Sequence, residues 1–146
     1  IWNDAEMGEY LPDEAMDEID EAYLKEIEEL SKDEVCCYMI AEFKDVQERV
    51  GTCSFIVSED GKVYDIAYCV HKKYWRNGYA TEMVRGMVDY AKKNGANKVT
   101  VRINKDNIVS NAIVKKMGFI VIDEKSYKKR GTELEYCDYL YELNLK

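Results

Sequence analysis

The stretch Tyr74-Trp75-Arg76-Asn77-Gly78-Tyr79-Ala80-Thr81-Glu82 carries the plainest chemistry in the chain. An apolar run ending near Val70 passes into a short polar loop. Ala80, Met83, Val84, Met87 and Ala91 then recur at helical spacing, and Asn94-Gly95 ends the pattern. The first N–H groups of such a helix have no partner inside it, and the helix dipole adds partial positive charge there. Together they make a cradle for a pyrophosphate. Gly78 bares the backbone where phosphates would approach, Ala80 keeps the next turn small, and Thr81 offers a hydroxyl. The residues alone leave two readings open: a phosphate cradle, or a glycine that only turns the chain. The loop lacks the Gly-Lys-Ser/Thr ending of a Walker motif and is not Gly-x-Gly-x-x-Gly.

Other reactive groups are few. Asp65 is an acid inside the apolar run Tyr64-Asp65-Ile66-Ala67-Tyr68. That placement suits a functional carboxylate or a strand-end aspartate facing solvent. Tyr68 either lines a substrate site or packs in the core. There are five cysteines and one histidine, His71, with no Cys-x-x-Cys pair, so no metal site is expected. Cys53 and Cys69 lie in apolar runs and read as small core residues. Reduced thiols point to the cytoplasm. The net charge of −8 argues against nucleic acid as a partner and is compatible with a cationic small molecule or basic peptide. No apolar stretch is long enough to span a membrane, and no signal peptide opens the chain.

The scaffold follows from the pattern of apolar residues. Asp13 is expected to cap a helix running to about Leu30, with Ile19, Ala22, Tyr23, Ile27 and Leu30 on one face and acids on the other. Strands are expected over residues 36–43, 51–58 and 62–71, the last two joined by the turn Glu59-Asp60-Gly61. After the helix ending at Asn94-Gly95 come a strand over 98–103 and a short helix over 108–117. Val109, Ala112, Ile113 and Met117 share one face of that helix, and Gly118 stops it. Strands over 119–123 and 136–145 close the chain, separated by the polar Lys128-Lys129-Arg130-Gly131. The order predicts one α/β domain with a mixed sheet and helices on both sides.

The run from Val70 to Glu82 resembles motif A of the GNAT superfamily of N-acetyltransferases, whose pattern is Gln/Arg-x-x-Gly-x-Gly/Ala, here with Trp75 at the Gln/Arg position. The Tyr-Trp opening and the Gly-Tyr-Ala-Thr-Glu ending are similar to the ribosomal-protein N-terminal acetyltransferase (RimJ/RimL-like) branch. Asn107-Ile108-Val109-Ser110 followed by Lys116-Met117-Gly118-Phe119 resembles motif B. The resemblance covers roughly residue 51 to the C-terminus. It implies a mixed, mostly antiparallel sheet splayed into a V between the fourth and fifth strands of the family order. Acetyl-CoA would lie in the V, with the backbone near Val70, partly through a bulge, facing the pantetheine and thioester. Arg76, Asn77, Gly78, Tyr79, Ala80 and Thr81 would hold the pyrophosphate. Asn107 and Ser110 would face the pantetheine or the sulfur, and Lys116 would approach the 3′-phosphate or remain a solvated helix lysine.

Amine acetylation needs a neutral amine, and freeing one at neutral pH costs about 4 kcal/mol for a pKa near 10. Asp65 aligns with an acid frequent in that branch, so the resemblance makes it the candidate base, acting directly or by positioning. The motif-B tyrosine that serves many relatives as general acid corresponds to Val114, leaving Ser110 as the nearest hydroxyl, unless Ser110 only packs the helix. The implied activity is acetyl transfer to a small-molecule amine or a peptide N-terminus, by a monomer or homodimer. The other reading, suggested by Val114, is a non-catalytic acetyl-CoA-binding regulatory module. The chain opens Ile1-Trp2-Asn3-Asp4, with no alternating apolar run, so the family's first strand is expected to be absent, with Trp2 in a following loop or helix and residues 36–43 forming an open edge.

Overall fold

The computed structural model describes residues 4–14, 19–30, 32 and 35–146. The element order is α1 (Glu21–Leu30), β1 (Cys36–Glu42), β2 (Arg49–Val57), β3 (Val63–Val70), α2 (Tyr79–Lys93), β4 (Lys98–Asn104), α3 (Ile108–Lys116), β5 (Ile120–Lys128) and β6 (Glu135–Asn144). Six strands form one open sheet in the order β1-β2-β3-β4-β6-β5. Every pairing is antiparallel except β3 with β4, which is parallel. The parallel pair needs a crossover, and α2 supplies it.

Side chains alternate across the sheet. One face carries Phe55, Tyr64, Ile66, Val99, Val101, Ile103 and Tyr141, all buried against α2 and α3. From α2 come Val84, Met87, Val88 and Ala91, at the spacing that puts them on one stripe. Val84, Met87 and Val88 each contribute about 1.5–3 kcal/mol by leaving water, and Ala91 less. The second face carries Tyr38, Ile40 and Ile56, which stay exposed, and near them α1 brings Tyr23 and Glu26 close to Tyr38. Helices therefore stand on both faces of a mixed α/β sheet, as expected.

Several local expectations change. Asp13 does not cap α1; the cap is Asp20, whose Oδ1 accepts the Tyr23 N–H at 2.8 Å. Asp13 instead forms a parallel bridge with Arg130, and the expected helix over residues 15–18 lies outside the described residues. The apolar stripe of α1 is open to solvent at Ile19 and Ile27 and half-buried at Tyr23. Cys53 packs against the core, but Cys69 is half-buried on the second face, outside that cluster. Strand β5 runs to Lys128, five residues past its expected end, because it pairs with β6 as far as Lys128↔Glu135. β1 is an edge of the sheet, and no described strand pairs with its outer side. Trp2 lies outside the described residues.

Candidate functional site

The β3–β4 pairing covers only Val63↔Lys98 to Ile66↔Val101. Past that point residues 67–70 and 102–104 have no ladder between them, so the two strands bound a wedge open at their C-terminal ends. His71 N–H donates to Val50 O at 2.8 Å. Bonded positions alternate along an antiparallel ladder, so the N–H and C=O groups of Tyr68 and Val70 turn away from β2 and into the wedge. The β2–β3 register has no shift, so the bulge expected near Val70 is absent and simple alternation presents these groups. The Val70 carbonyl accepts the Trp75 indole N–H at 2.7 Å, which leaves its N–H facing the wedge. Gly51, opposite Val70, is required by close approach: a Cβ there would sit 2.1 Å from the Cys69 carbonyl oxygen.

The polar loop is held by its own side chains. His71 Nδ1 accepts the Lys73 N–H at 3.2 Å, starting a single 3-10 turn over Lys72–Tyr74. Asn77 Nδ2 donates to the carbonyls of Tyr74 at 3.1 Å and Trp75 at 2.9 Å. Tyr74 and Tyr79 pack edge-on against Phe43, with centroids 5.5 and 5.3 Å away. Glu48 takes bonds from Lys73 and Tyr74, which hold its carboxyl below the usual range. Arg76 and Gly78 both have positive φ, 63° and 85°, a region unfavourable to a side chain at Arg76 and natural at Gly78. The first N–H bonded within α2 belongs to Glu82, donating to Gly78 O at 3.1 Å. The N–H groups of Tyr79, Ala80 and Thr81 precede it and point out of the helix start. Nothing lies within 4 Å of where a Gly78 Cβ would stand.

At the second helix start Asn107 is the cap, its Oδ1 accepting the Ser110 N–H at 3.1 Å. Its side-chain oxygen is thus occupied by the protein itself. Burial pushes the Tyr68 hydroxyl up, with the Ser110 hydroxyl beside it acting the other way. That Tyr68 hydroxyl makes no hydrogen bond of ordinary geometry. Asn111, which the sequence reading missed, is buried and ties the loop before α3 together. Its Nδ2 donates to the carbonyls of Asn104, Asn107 and Lys105 at 2.9, 2.7 and 3.3 Å, and its Oδ1 accepts the fully buried Tyr141 hydroxyl at 2.6 Å. Val114 is wholly buried. Lys116 is exposed in the last turn of α3, roughly 9 Å along the axis from Ser110 at ~1.5 Å per residue.

The second face holds the carboxylates. Asp65 accepts the Thr100 hydroxyl at 2.6 Å, at the closed end of the wedge. At the open end, Asp138 of β6 stands opposite Asn104 of β4 and accepts the Tyr127 hydroxyl at 3.2 Å. Burial raises the Asp138 pKa, opposed by Tyr127 and by Arg102. Burial, then Asp138, pushes Tyr127 up to about 12. Asn104 is buried, and its Nδ2, beside the Tyr127 hydroxyl, makes no hydrogen bond of ordinary geometry. Across this end runs the segment of residues 4–14. Lys72 pairs with Asp4 at 2.6 Å and Glu6 at 3.3 Å. The buried Lys129 donates to the carbonyls of Gly8 and Glu9 at 2.9 and 3.1 Å over the Tyr136 ring. Arg130 pairs with Asp13 at 2.6 Å. A strap therefore reaches from the loop after β3 to the β5–β6 connection, where the sequence suggested only a polar loop.

Of the residues singled out in the sequence, Val70, Arg76, Asn77, Gly78, Tyr79, Ala80 and Thr81 lie together between the wedge and the α2 start, with Asn107 and Ser110 at the α3 start. Asp65 lies at the wedge apex, and Lys116 at the far end of its helix. Among the described residues no group of three or more His, Cys, Asp or Glu side chains could hold a metal ion. No described helix is long and apolar enough to cross a membrane.

Comparison with known proteins gives consistent findings. Residues 1–120 match the family described as the Acetyltransferase (GNAT) domain. Over 80 residues the chain is 31% identical to the uncharacterized N-acetyltransferase YoaA of Bacillus subtilis (strain 168), a match spanning 53% of this chain and 45% of that protein. It is 24% identical over 123 residues to the uncharacterized N-acetyltransferase p20 of Bacillus licheniformis, covering 81% and 68%. Among solved structures, the spermidine N-acetyltransferase of Vibrio cholerae in complex with CoA and spermine superposes with a TM-score of 0.84 at 12% identity, covering 98% of this chain and 85% of that one. A GNAT-family acetyltransferase of Bacillus anthracis gives 0.77 at 17% identity, covering 98% and 84%. At such identities the structural likeness establishes the fold.

Proposed function

Since the chain belongs to the GNAT acetyltransferase family, we propose that it is an N-acetyltransferase that moves the acetyl group of acetyl-CoA onto a primary amine, of a small molecule or a protein N-terminus, by direct attack in a ternary complex. The observation that carries this reading is the wedge between β3 and β4, which opens beside a helix start with three outward N–H groups. The fit to the cosubstrate is good on this chain's own atoms. The amides of Tyr79, Ala80 and Thr81, after Gly78, suit a pyrophosphate, and the space over Gly78 is open. Arg76 adds positive charge at the loop, while Asn77 keeps the loop folded. The N–H of Val70 is available to a pantetheine amide. Asn107, as the cap, sets the α3 start, and Ser110 stands there with Tyr68. Lys116 would serve only a distant part of the ligand.

The chemistry asks for three things. The wedge holds amine and thioester together, which replaces a bimolecular encounter by a positioned one. An N–H of Tyr68 or Val70 stabilises the oxyanion at the thioester carbonyl. A carboxylate on the second face draws off the amine proton, with Asp65 as acceptor or as the residue that positions it. Ser110 is the hydroxyl that would face the leaving sulfur in this reading. A thiol pKa near 8.5 lets the thiolate depart with little help. Five free thiols support a reducing compartment, the cytoplasm. The test is a panel of amines with acetyl-CoA, monitored by free CoA release. Turnover with any amine supports the enzyme. Tight CoA binding with no turnover across mono- and polyamines and peptides would favour a regulatory module, the reading to which a buried Val114 in place of a tyrosine gives some substance.

A further inference from the structure

We propose that Asp138, with Tyr127 as its positioning residue, takes the proton from the attacking amine, leaving Asp65 to position rather than to accept. This rests on the acetyltransferase reading and deepens it. Asp138 and Asp65 differ in their level along the strands. The paired register ends with Ile66 of β3 level with Val101 of β4; counting two residues on along each diverging strand sets Tyr68 at the height of Ile103, with Asn104 and its partner Asp138 one residue further out. The wedge groups of Tyr68 and Val70 are therefore matched in height by Asp138. Asp65 lies three residues before Tyr68, about 10 Å down the strand at ~3.3 Å per residue, in the part of the sheet still zipped by the ladder. Its Oδ1 is already bound by Thr100.

Face and environment agree with level. Strand alternation puts Asn104 and Asp138 on the face opposite α2 and α3, the face crossed by the 4–14 strap. A cosubstrate held at the two helix starts leaves this side for the acceptor. Asp138 is half-buried and accepts one ordinary hydrogen bond, from Tyr127. The groups facing it are Tyr127 and, opposite in register, Lys125 on β5, with Asn104 and Arg102 on β4. The Nδ2 of Asn104 beside it is a buried donor that makes no hydrogen bond of ordinary geometry, with the Tyr127 hydroxyl near it, and an incoming water can use it. A carboxylate in such a place holds a proton more readily than an exposed one.

In the step, the amine nitrogen attacks the thioester carbonyl carbon and the C–N bond forms. The proton lost from nitrogen passes, directly or through one water, to an Asp138 oxygen. The C–S bond breaks as the oxyanion collapses, and CoA leaves as the thiolate, which is protonated from solvent. Asp138 returns its proton to solvent.

The experiment compares wild type, Asp138→Asn and Tyr127→Phe, using acetyl-CoA and the best amine of the panel. Asp138→Asn is expected to lower kcat about 100-fold or more, the usual worth of a general base, with CoA affinity unchanged. Tyr127→Phe removes a bond that favours the ionised carboxylate, so the Asp138 pKa rises and the acid limb of the pH–rate profile moves to higher pH. Carbon NMR of the Asp138 carboxyl should titrate above the ordinary aspartate range in wild type and higher still in Tyr127→Phe. Full activity of Asp138→Asn, or an acid limb and carboxyl titration unmoved by Tyr127→Phe, would overturn the proposal. CoA affinity and wild-type turnover are separate readouts, so failure of the acetyltransferase reading itself would be seen in them.

Discussion

Replacing Gly78 separates a backbone cost from a ligand cost. At φ of 85° an L side chain is unfavourable by roughly 1–2 kcal/mol. No atom lies within 4 Å of the added Cβ, so no steric term joins it. Gly78→Ala should therefore stay folded and melt only a few degrees lower, about 3–7 °C for a domain of this size. Gly78→Glu adds to the same backbone cost a carboxylate at the helix start, where the pyrophosphate is expected. Its CoA affinity should fall at least tenfold, which is about 1.4 kcal/mol. Differential scanning fluorimetry reads the first quantity and isothermal titration with CoA the second. A folded Gly78→Glu protein with unchanged CoA affinity would refute the placement of the phosphates.

Three other substitutions test other parts of the account. Asp65→Asn, at a residue that positions rather than accepts, should lower turnover less than Asp138→Asn and leave CoA affinity alone, with the acid limb of the pH–rate profile in place; a loss concentrated at low pH, well below the amine pKa, would return the proton to Asp65. Lys129→Met should raise the KM for the amine while leaving CoA affinity alone, because the strap loses the buried ammonium that holds the Gly8 and Glu9 carbonyls; equal changes in both would mean that the fold, not the strap, was damaged. Asn111→Ala leaves the buried Tyr141 hydroxyl and several loop carbonyls short of partners, at about 1–3 kcal/mol for each orphaned group, and chemical denaturation should register at least one such loss.

The elements that were legible in the sequence are those whose burial follows a period. The α2 stripe of Val84, Met87, Val88 and Ala91 and the strand leading to Val70 were readable because both bury one side against the core. The first helix misled because its exposed apolar residues do not face that core; with no burial to fix its start, the expected cap fell on Asp13 rather than on Asp20. The loop around Gly78 was visible through residue type. What held it was not, since the bonds from Asn77 and Trp75 are to backbone carbonyls that leave no trace in a pattern. Lys129 stood in a polar run that read only as the connection between two strands, yet residues more than a hundred positions earlier bury it. Asp138 alternates with tyrosines in a strand, and only the register of β6 against β4 brings it level with the wedge.

The central claim is that the wedge and the α2 start together receive the cosubstrate. Amide resonances of the labelled protein, followed through a CoA titration, test it most directly. The account predicts saturable shifts and slowed hydrogen exchange at Tyr79, Ala80, Thr81 and Val70, all with one dissociation constant equal to that from calorimetry. Saturable binding that leaves these four amides unmoved, with shifts gathered elsewhere on the sheet, would contradict it.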